Sequence, residues 1–484
     1  MSSWWKNLFR GKPKDGPPPE AVPAPAPRLI RRATLGLDFG TSSTKCCFRE
    51  QSDGKSAHIV EFERAVASDS RVLFPTTIAL DGGRLLFGHS AEQCSARDKL
   101  RSFKMCLLCL SRANRSDPAL SAQSKCGNCL PDAPGFYRMG GLVLSAEDLS
   151  ALYLSHVMRI AKQRLLATLG GDASAIRITV NSAAPLDQMD EFGRVGEHFE
   201  RALFHGWMLA DQSCNDWPIE QALGSLRMTQ RENVPAVEQS PTRLFPETHA
   251  AMTAYLLLPQ SERGLYGLVD IGAGTTDVAF FWFQKDEAET KAWYYAAGSR
   301  RVGMDDVDSA LRCVLHNADG NLRAARQALP DEALTESLSL IEPVANEIRR
   351  HQATVLHSAM QVDQRPTAWR SGGRVHYRLF LAGGGSMCGQ LRANAVDKPL
   401  LPGEAWEEPP SPLAIPLNTK VALADGTIVP VRSLSEPAVS RLLLLACGLA
   451  HPRPDIPKYE RDVEGVKHSR SSSATVFELP DKWW

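Results

Sequence analysis

Two short stretches of this 484-residue chain combine residue types that an ordinary strand excludes. The first, inside RATLGLDFGTSSTKCCFRE, runs Asp38-Phe39-Gly40-Thr41-Ser42-Ser43. The second, inside YGLVDIGAGTTDVAFFWF, runs Asp270-Ile271-Gly272-Ala273-Gly274-Thr275-Thr276-Asp277. Glycine weakens a strand and an unpaired carboxylate is costly to bury, so packing does not explain either stretch. An anion does. Glycine lets the backbone approach it, the N–H groups of the turn point inward, and the hydroxyls add donors. An aspartate would oppose phosphate unless a cation stood between them, as hydrated Mg²⁺ does. One such turn is weak evidence; two, roughly 230 residues apart, predict duplicated halves that grip one nucleotide from both sides.

A second constellation is Cys106, Cys109, Cys126 and Cys129, spaced C-x₂-C-x₁₆-C-x₂-C in CLLCLSRANRSDPALSAQSKCGNCL. That spacing falls within the range of four-cysteine zinc sites, and the polar residues between the pairs fit a small metal-stapled insert over 105–131. A redox C-x-x-C pair is the rival reading. Four thiolates would leave Zn²⁺ no open position, so the zinc role expected here is structural. Core packing is the expectation for the other seven of the eleven cysteines.

The elements that must position these residues read as an α/β layer. A helix is predicted over 150–171, stopped by its glycines, and a β-branched strand over 175–180. PETHAAMTAYLLL (246–258) reads as a helix with Glu247 in its first turn. HYRLFLAGGGSMCGQLR (376–392) reads as a strand that ends in three glycines and starts another helix, a suitable floor for adenosine. LLLLACGLA (442–450) is the most apolar run, far too short to span a bilayer, and reads as a buried helix.

Lysine plus arginine equals aspartate plus glutamate at 55 each, so bulk charge gives no reason to expect nucleic acid as a partner. The cysteines, with no secretory signal ahead of them, point to a reducing cytoplasm. Residues 13–27, about half proline, read as an extended spacer within a 13–33 linker. Ahead of it, residues 1–12 would place Trp4, Trp5, Leu8 and Phe9 on one helical face, with Lys6, Arg10 and Lys12 around the other. A membrane-surface anchor at the inner face, a docking peptide for a partner and a frayed tail are the three readings of that segment.

The order D-x-G-T, P-E-T-x-A-A, D-x-G-x-G-T-T-D, G-G-G-S resembles the actin-like ATPase superfamily over roughly residues 34–450. Within it the chain is most similar to the ATPase domain of heat-shock protein 70 (DnaK-type) chaperones. FPTTIAL with GRLLFG (74–88) and AAGSRRVGMDDVDSAL (296–311) carry that likeness. The resemblance implies two lobes, each a ribonuclease-H-like domain, around a nucleotide cleft: lobe I over 34–262, lobe II over 263–440, and a terminal helix over 441–452. It implies that Asp38 and Asp270 hold Mg²⁺ through its water shell and that Gly40, Thr41, Ser42, Ser43 and Thr276 serve the phosphates. Glu247 and Thr275 would orient the attacking water, and Lys104 is similar to the family's catalytic lysine, with a surface lysine as the alternative. Gly272, Ala273, Gly274 and Gly303 would meet phosphate through the backbone. Gly384, Gly385 and Ser386 would flank the adenosine. Glu347 and Arg350 sit where the family places base and ribose contacts, with a solvated helix face as the alternative. Ala273 stands where the family has glycine, and its methyl is tolerable only at negative φ.

No client-binding domain is expected in 453–484, which reads as a flexible tail. Three functions follow as expectations. The first is a chaperone-like switch that hydrolyses ATP to ADP slowly and controls an unidentified protein partner. The second is a membrane-associated cytoskeletal ATPase of the MreB or FtsA kind. The third is a sugar-type kinase, which DFGTSSTK also resembles.

Overall fold

The computed structural model describes residues 30–51, 56–62, 69–95, 98–113, 129–130, 132–170, 175–184, 194–236, 239–258, 261–285, 290–315, 326, 331–362, 370–371, 374–375, 377–400, 410–413, 415, 419–431 and 441–461. The N-terminal segment 1–12, the spacer and the tail beyond 461 lie outside them.

At the centre of the first sheet is β1 (Arg31–Phe39), buried from Ala33 to Phe39 on both faces. Burial on both faces is why it reads as a nearly continuous apolar run. On one side β1 runs parallel to β4 (Ile176–Ala184), which runs parallel to β5 (Thr242–Pro246). On the other side β1 is antiparallel to β2 (Ser43–Glu50), itself antiparallel to β3 (His58–Val60). The second sheet repeats this plan. Its β6 (Gly264–Ile271) is parallel to β9 (Arg378–Ala382), and β9 to β10 (Ser411–Pro412). Its other neighbours, β7 (Thr276–Lys285) and β8 (Thr290–Arg300), are successively antiparallel. The orders β5-β4-β1-β2-β3 and β10-β9-β6-β7-β8 therefore correspond strand for strand. The duplication expected from the two turns extends to the sheets that carry them.

Two later segments cross between halves. Strands β11 (Lys420–Ala422) and β12 (Ile428–Pro430) follow the second sheet in the chain yet extend the first one through β3. Strand β13 (Lys458–Arg461) runs parallel to β8 at the edge of the second sheet.

Helices cover both sheets. Of these, α1 (Lys104–Ala113), α2 (Ala146–Leu169) and α3 (Arg194–Leu209) belong to the first half. The start of α2 is set by a capping box: the Ser145 hydroxyl accepts from the Asp148 amide at 3.0 Å, and the Asp148 carboxylate accepts from the Ser145 amide at 3.1 Å. The second half is covered by α5 (Met304–Ala310), α6 (Leu338–Val362) and α7 (Gly389–Ala395).

Between the sheets, α4 (Glu247–Leu256) and α8 (Leu444–Leu449) form a middle core. There Ala251, Leu444 and Cys447 pack with Cys47 and Ile59 of the first sheet and with Tyr266 and Phe281 of the second. All six residues of α8 are buried, as its apolar sequence predicts. Each leucine there contributes ~1.5–3 kcal/mol. Its approach is close enough to require glycine. A Cβ on Gly448 would lie 1.9 Å from the Ala250 carbonyl oxygen, and one on Gly36 2.3 Å from that of Ala446.

Of the scattered cysteines, Cys46, Cys47, Cys388 and Cys447 are buried as expected of core residues, whereas Cys214 and Cys313 are exposed and core packing does not explain them. Among the described residues no helix is long and apolar enough to cross a membrane.

Candidate functional site

Both turns open into one cavity of about 890 Å³ between the halves. That is within the usual size range for small-molecule sites. In the first turn, Asp38 ends β1 and stands opposite Lys45 on β2, with Lys45 Nζ 2.9 Å from Asp38 Oδ2. The turn is pinned from outside. Thr76 donates its hydroxyl to the Gly40 carbonyl at 2.7 Å and its amide to the Ser42 carbonyl at 3.0 Å.

In the second turn, Asp270 stands opposite Asp277 across the β6–β7 hairpin. The Gly272 amide closes the turn onto the Thr275 carbonyl at 2.8 Å, and the Thr275 hydroxyl donates to Asp277 Oδ2 at 3.3 Å. The start of α5 is tied to the same loop, with Met304 and Asp305 amides donating to the carbonyls of Gly272 at 3.1 Å and Ala273 at 2.8 Å. Ala273 is absent from the non-glycine residues with positive φ, which among the described residues are Ser102 and Asp216. Its methyl is therefore tolerated. Behind Asp270 stands Gly383 at φ +75°, where a Cβ would lie 2.2 Å from Asp270 Oδ1.

Two helix starts of the first half are joined by an ion pair at the cleft. Lys104, the first residue of α1, donates to Oε1 of Glu247, the first residue of α4, at 2.6 Å. Both are buried. The ammonium also lies 5.8 Å from the Phe39 ring and 6.0 Å from the Phe199 ring. Burial alone would lower the Lys104 pKa; the charges of Glu247 and Asp38, the bond to Glu247 and the charge of Asp277 outweigh it and raise it. Asp270 is pushed up to about 7, first by desolvation and then by the charges of Glu247 and Asp38, with Lys45 and Lys104 acting against them. Four carboxylates thus share two ammonium groups. Among the described residues no three acidic, histidine or cysteine side chains lie close enough to hold an ion directly. Mg²⁺ keeps several of its waters, so aspartates that reach it through water suit the donor set.

The cavity is lined by Gly40, Thr41, Ser42, Ser43, Gly272, Ala273, Thr275 and Gly384, besides the charged groups above. Other residues expected at the site stand behind its wall. The Thr276 hydroxyl is spent on the Val302 carbonyl at 2.8 Å and that of Ser386 on the Gly383 carbonyl at 2.7 Å. The Gly303 amide donates to Asp306 at 2.9 Å. Gly274 packs behind the loop, where a Cβ would lie 3.2 Å from both Met105 and Thr41, and Gly385 packs on Ile271. Glu347 and Arg350 are not brought to the cleft. Glu347 instead pairs with Arg300 at 2.6 Å, and the Arg350 side chain is 60% exposed. The solvated-face alternative is the one the fold adopts, because α6 buries Ile341, Ala345 and Ile348 towards its sheet. In their place the far wall carries an ion pair between Arg326 and buried Asp308, together with Met387, Cys388 and Gln390.

Of the four cysteines, Cys106 lies on α1 in the core of the first half, and Cys129 packs against that same core. Cys126 and the Cys109 side chain lie outside the described residues.

By class, the chain is similar to chaperones of the heat-shock protein 70 type. Relatives named chaperone protein HscA homolog carry the relationship. The one from Bordetella pertussis is 26% identical over 328 residues, 64% of this chain and 43% of the relative. That from Acidithiobacillus ferrooxidans is 23% identical over 331 residues, 65% and 44% of the two. That from Burkholderia mallei is 27% identical over 293 residues, 60% and 38% of the two. The chain therefore spans less than half the length of these relatives. No protein-family model matches it.

Proposed function

We propose that the chain binds ATP in the cleft with Mg²⁺, hydrolyses it slowly to ADP, and uses the resulting change in lobe closure to control a protein partner. The observation that carries this reading is the excess of carboxylates over lysines between two turns of one design. Such a site is built for an anion only in company with a cation. Asp38 and Asp270 would hold the metal through water. When bound, Mg²⁺ supplies neutralisation of charge on the phosphates.

The chain's own residues supply the positioning that phosphoryl transfer chiefly needs. Glu247, held by Lys104, and Thr275, held by Asp277, are the groups placed to orient a water. Lys104 would face developing negative charge while its aromatic neighbours keep bulk water away. The far wall of Asp308–Arg326, Met387 and Gln390 is the surface left for base and ribose. The chaperone relatives support a switch over a filament-forming ATPase or a sugar kinase.

Phosphate release from ATP tests the reading. Turnover should require Mg²⁺, and Lys104→Ala should lower kcat by ~10²-fold or more with a smaller change in KM. Binding without turnover, or transfer of the phosphoryl group to a sugar, would sink it.

We also propose that the cysteine insert is a structural zinc site. The spacing C-x₂-C-x₁₆-C-x₂-C is what supports this reading. Zinc would stabilise a segment with few apolar side chains by ~10 kcal/mol or more. Protein purified without added metal should contain one zinc per chain, lost in Cys106→Ser/Cys126→Ser. Zinc-free protein with thioredoxin-reducible disulfides would instead establish a redox pair.

A further inference from the structure

The first sheet has two ends. Asp38 lies at the carboxyl end of β1, in the cleft; the amino end carries a second cavity, of about 240 Å³. Because β1 and β4 are parallel, Arg32 and Arg177 are register partners there, side by side on neighbouring strands. Arg453, in the segment that follows α8, completes the wall, with Gln51, Thr179 and Gln239 supplying polar groups.

Arg453 is fixed in place rather than waving in solvent. Its Nε donates to Asn181 Oδ1 at 3.2 Å, and its two terminal nitrogens donate to the carbonyls of Ser240 at 3.0 Å and Pro241 at 3.1 Å. Those contacts use three of its five N–H donors and supply no counter-charge. Among the described residues, none of Arg32, Arg177, Arg243 or Arg453 pairs with a carboxylate. The neighbouring acid, Glu50, is taken by Arg31 at 2.6 Å. The crowding registers on Arg453, whose pKa is lowered to about 10 by burial and then by the charges of Arg243 and Arg177.

We infer that this cavity is an oxyanion site of phosphate-group chemistry, separate from the nucleotide cleft. Guanidinium groups present planar forks of donors that match phosphate oxygens. A single carboxylate would offset one of the positive charges, whereas a phosphate group brings about two at neutral pH. The volume is about a quarter of the cleft's 890 Å³, enough for a phosphate group and little more than its first substituent. Gln51 and Gln239 at the rim can donate to further oxygens. The site stands on geometry that is independent of whether ATP is hydrolysed at the other end of the sheet.

The test uses the full chain, with inorganic phosphate as the probe and chloride of matched ionic strength as the control. Phosphate should raise the melting temperature of wild type beyond the chloride effect, and Arg32→Gln/Arg177→Gln should lose at least half of that rise. In calorimetry the double variant should bind phosphate at least tenfold more weakly. Arg453 is left intact because it anchors the loop before β5. Without phosphate the variant should melt no lower than wild type, since its like charges are relieved; that control separates lost binding from lost folding. O-phosphoserine in place of inorganic phosphate separates the two sources, tighter binding of the ester marking a phosphorylated ligand and of the free ion a simple anion. No phosphate effect in wild type, or equal effects in wild type and variant, would overturn the assignment.

Discussion

The two turns share a backbone plan and differ in what faces the aspartate. Across the first hairpin Asp38 meets Lys45; across the second Asp270 meets Asp277. A lysine and an aspartate at equivalent cross-strand positions invert the electrostatics of otherwise similar hairpins. The first turn is neutralised within its own half. The second is left with a carboxyl pushed up to about 7 and needs charge from elsewhere. This asymmetry assigns different duties to duplicated parts: one side is complete at rest, and the other is completed by a cation or by a proton.

Hydrolysis should expose the difference most strongly. Asp270→Asn removes a carboxylate whose charge is uncompensated without a metal, so turnover should fall by ~10³-fold, about 4 kcal/mol of barrier. Asp38→Asn should lower turnover as well, but it also strands buried Lys45. Measured by steady-state phosphate release together with thermal melting, Asp270→Asn should lose activity without losing stability, while Asp38→Asn loses both. Equal melting behaviour in the two variants would break the comparison.

The next effect is on pH dependence. A carboxyl whose folded pKa is raised holds its proton in the folded state after the unfolded chain has released it. The folded state therefore binds more protons between the unfolded pKa near ~4 and about 7, and stability must fall as pH rises through that window. The upper bound on this loss is roughly 4 kcal/mol, from three pK units at 1.36 kcal/mol each. Melting of nucleotide-free, metal-free protein from pH 4.5 to 8 should show the decline, and Asp270→Asn should flatten it. Asp38→Asn, by contrast, should lower stability by ~3 kcal/mol, the cost of leaving one member of a buried pair alone. A wild-type curve that is flat or rises over that window would remove the asymmetry.

The parts of this site that the sequence discloses are those where chemistry contradicts periodicity. Asp38, Asp270 and the glycines stand out because they interrupt apolar strands that would otherwise pack without them. The helix at 442–450 is legible for the opposite reason: it is apolar on every face, and α8 is buried on every face. Lys45 is not legible, because a lysine just past a turn reads as solvent-facing; its role exists only in the register that sets it opposite Asp38. The helix containing Glu347 and Arg350 is plain in the sequence, but which face meets the cleft depends on how α6 lies on its sheet. Arg326 shows the converse, a residue outside any motif that reaches the cleft by pairing with Asp308. The addition of β11 and β12 to the first sheet is likewise invisible to local pattern, since β3 and β11 pair across some 360 residues.

The smallest expected effect tests whether the two turns share a backbone as well as a plan. Gly40 and Gly272 are equivalent in the D-x-G sequence, and each stands beside a carbonyl three residues on. A Cβ on Gly40 would lie 2.3 Å from the Ser43 carbonyl oxygen, a distance no side chain can accept unless the turn itself moves. On Gly272 the corresponding distance to the Thr275 oxygen is 3.0 Å, which a shift of a few tenths of an ångström relieves. The first turn has little room to shift, because Thr76 holds it at Gly40 and Ser42. Gly40→Ala should therefore cost ~1–3 kcal/mol, the range for overpacking a site that cannot relax. Gly272→Ala should cost under ~1 kcal/mol, because the strain is small and the unfolded chain loses entropy when glycine is replaced. Chemical denaturation of the two variants, with midpoints compared at unchanged slope, reads this difference directly. If both cost the same, the clearance at Gly40 is not a property of the turn, and the first hairpin is as yielding as the second.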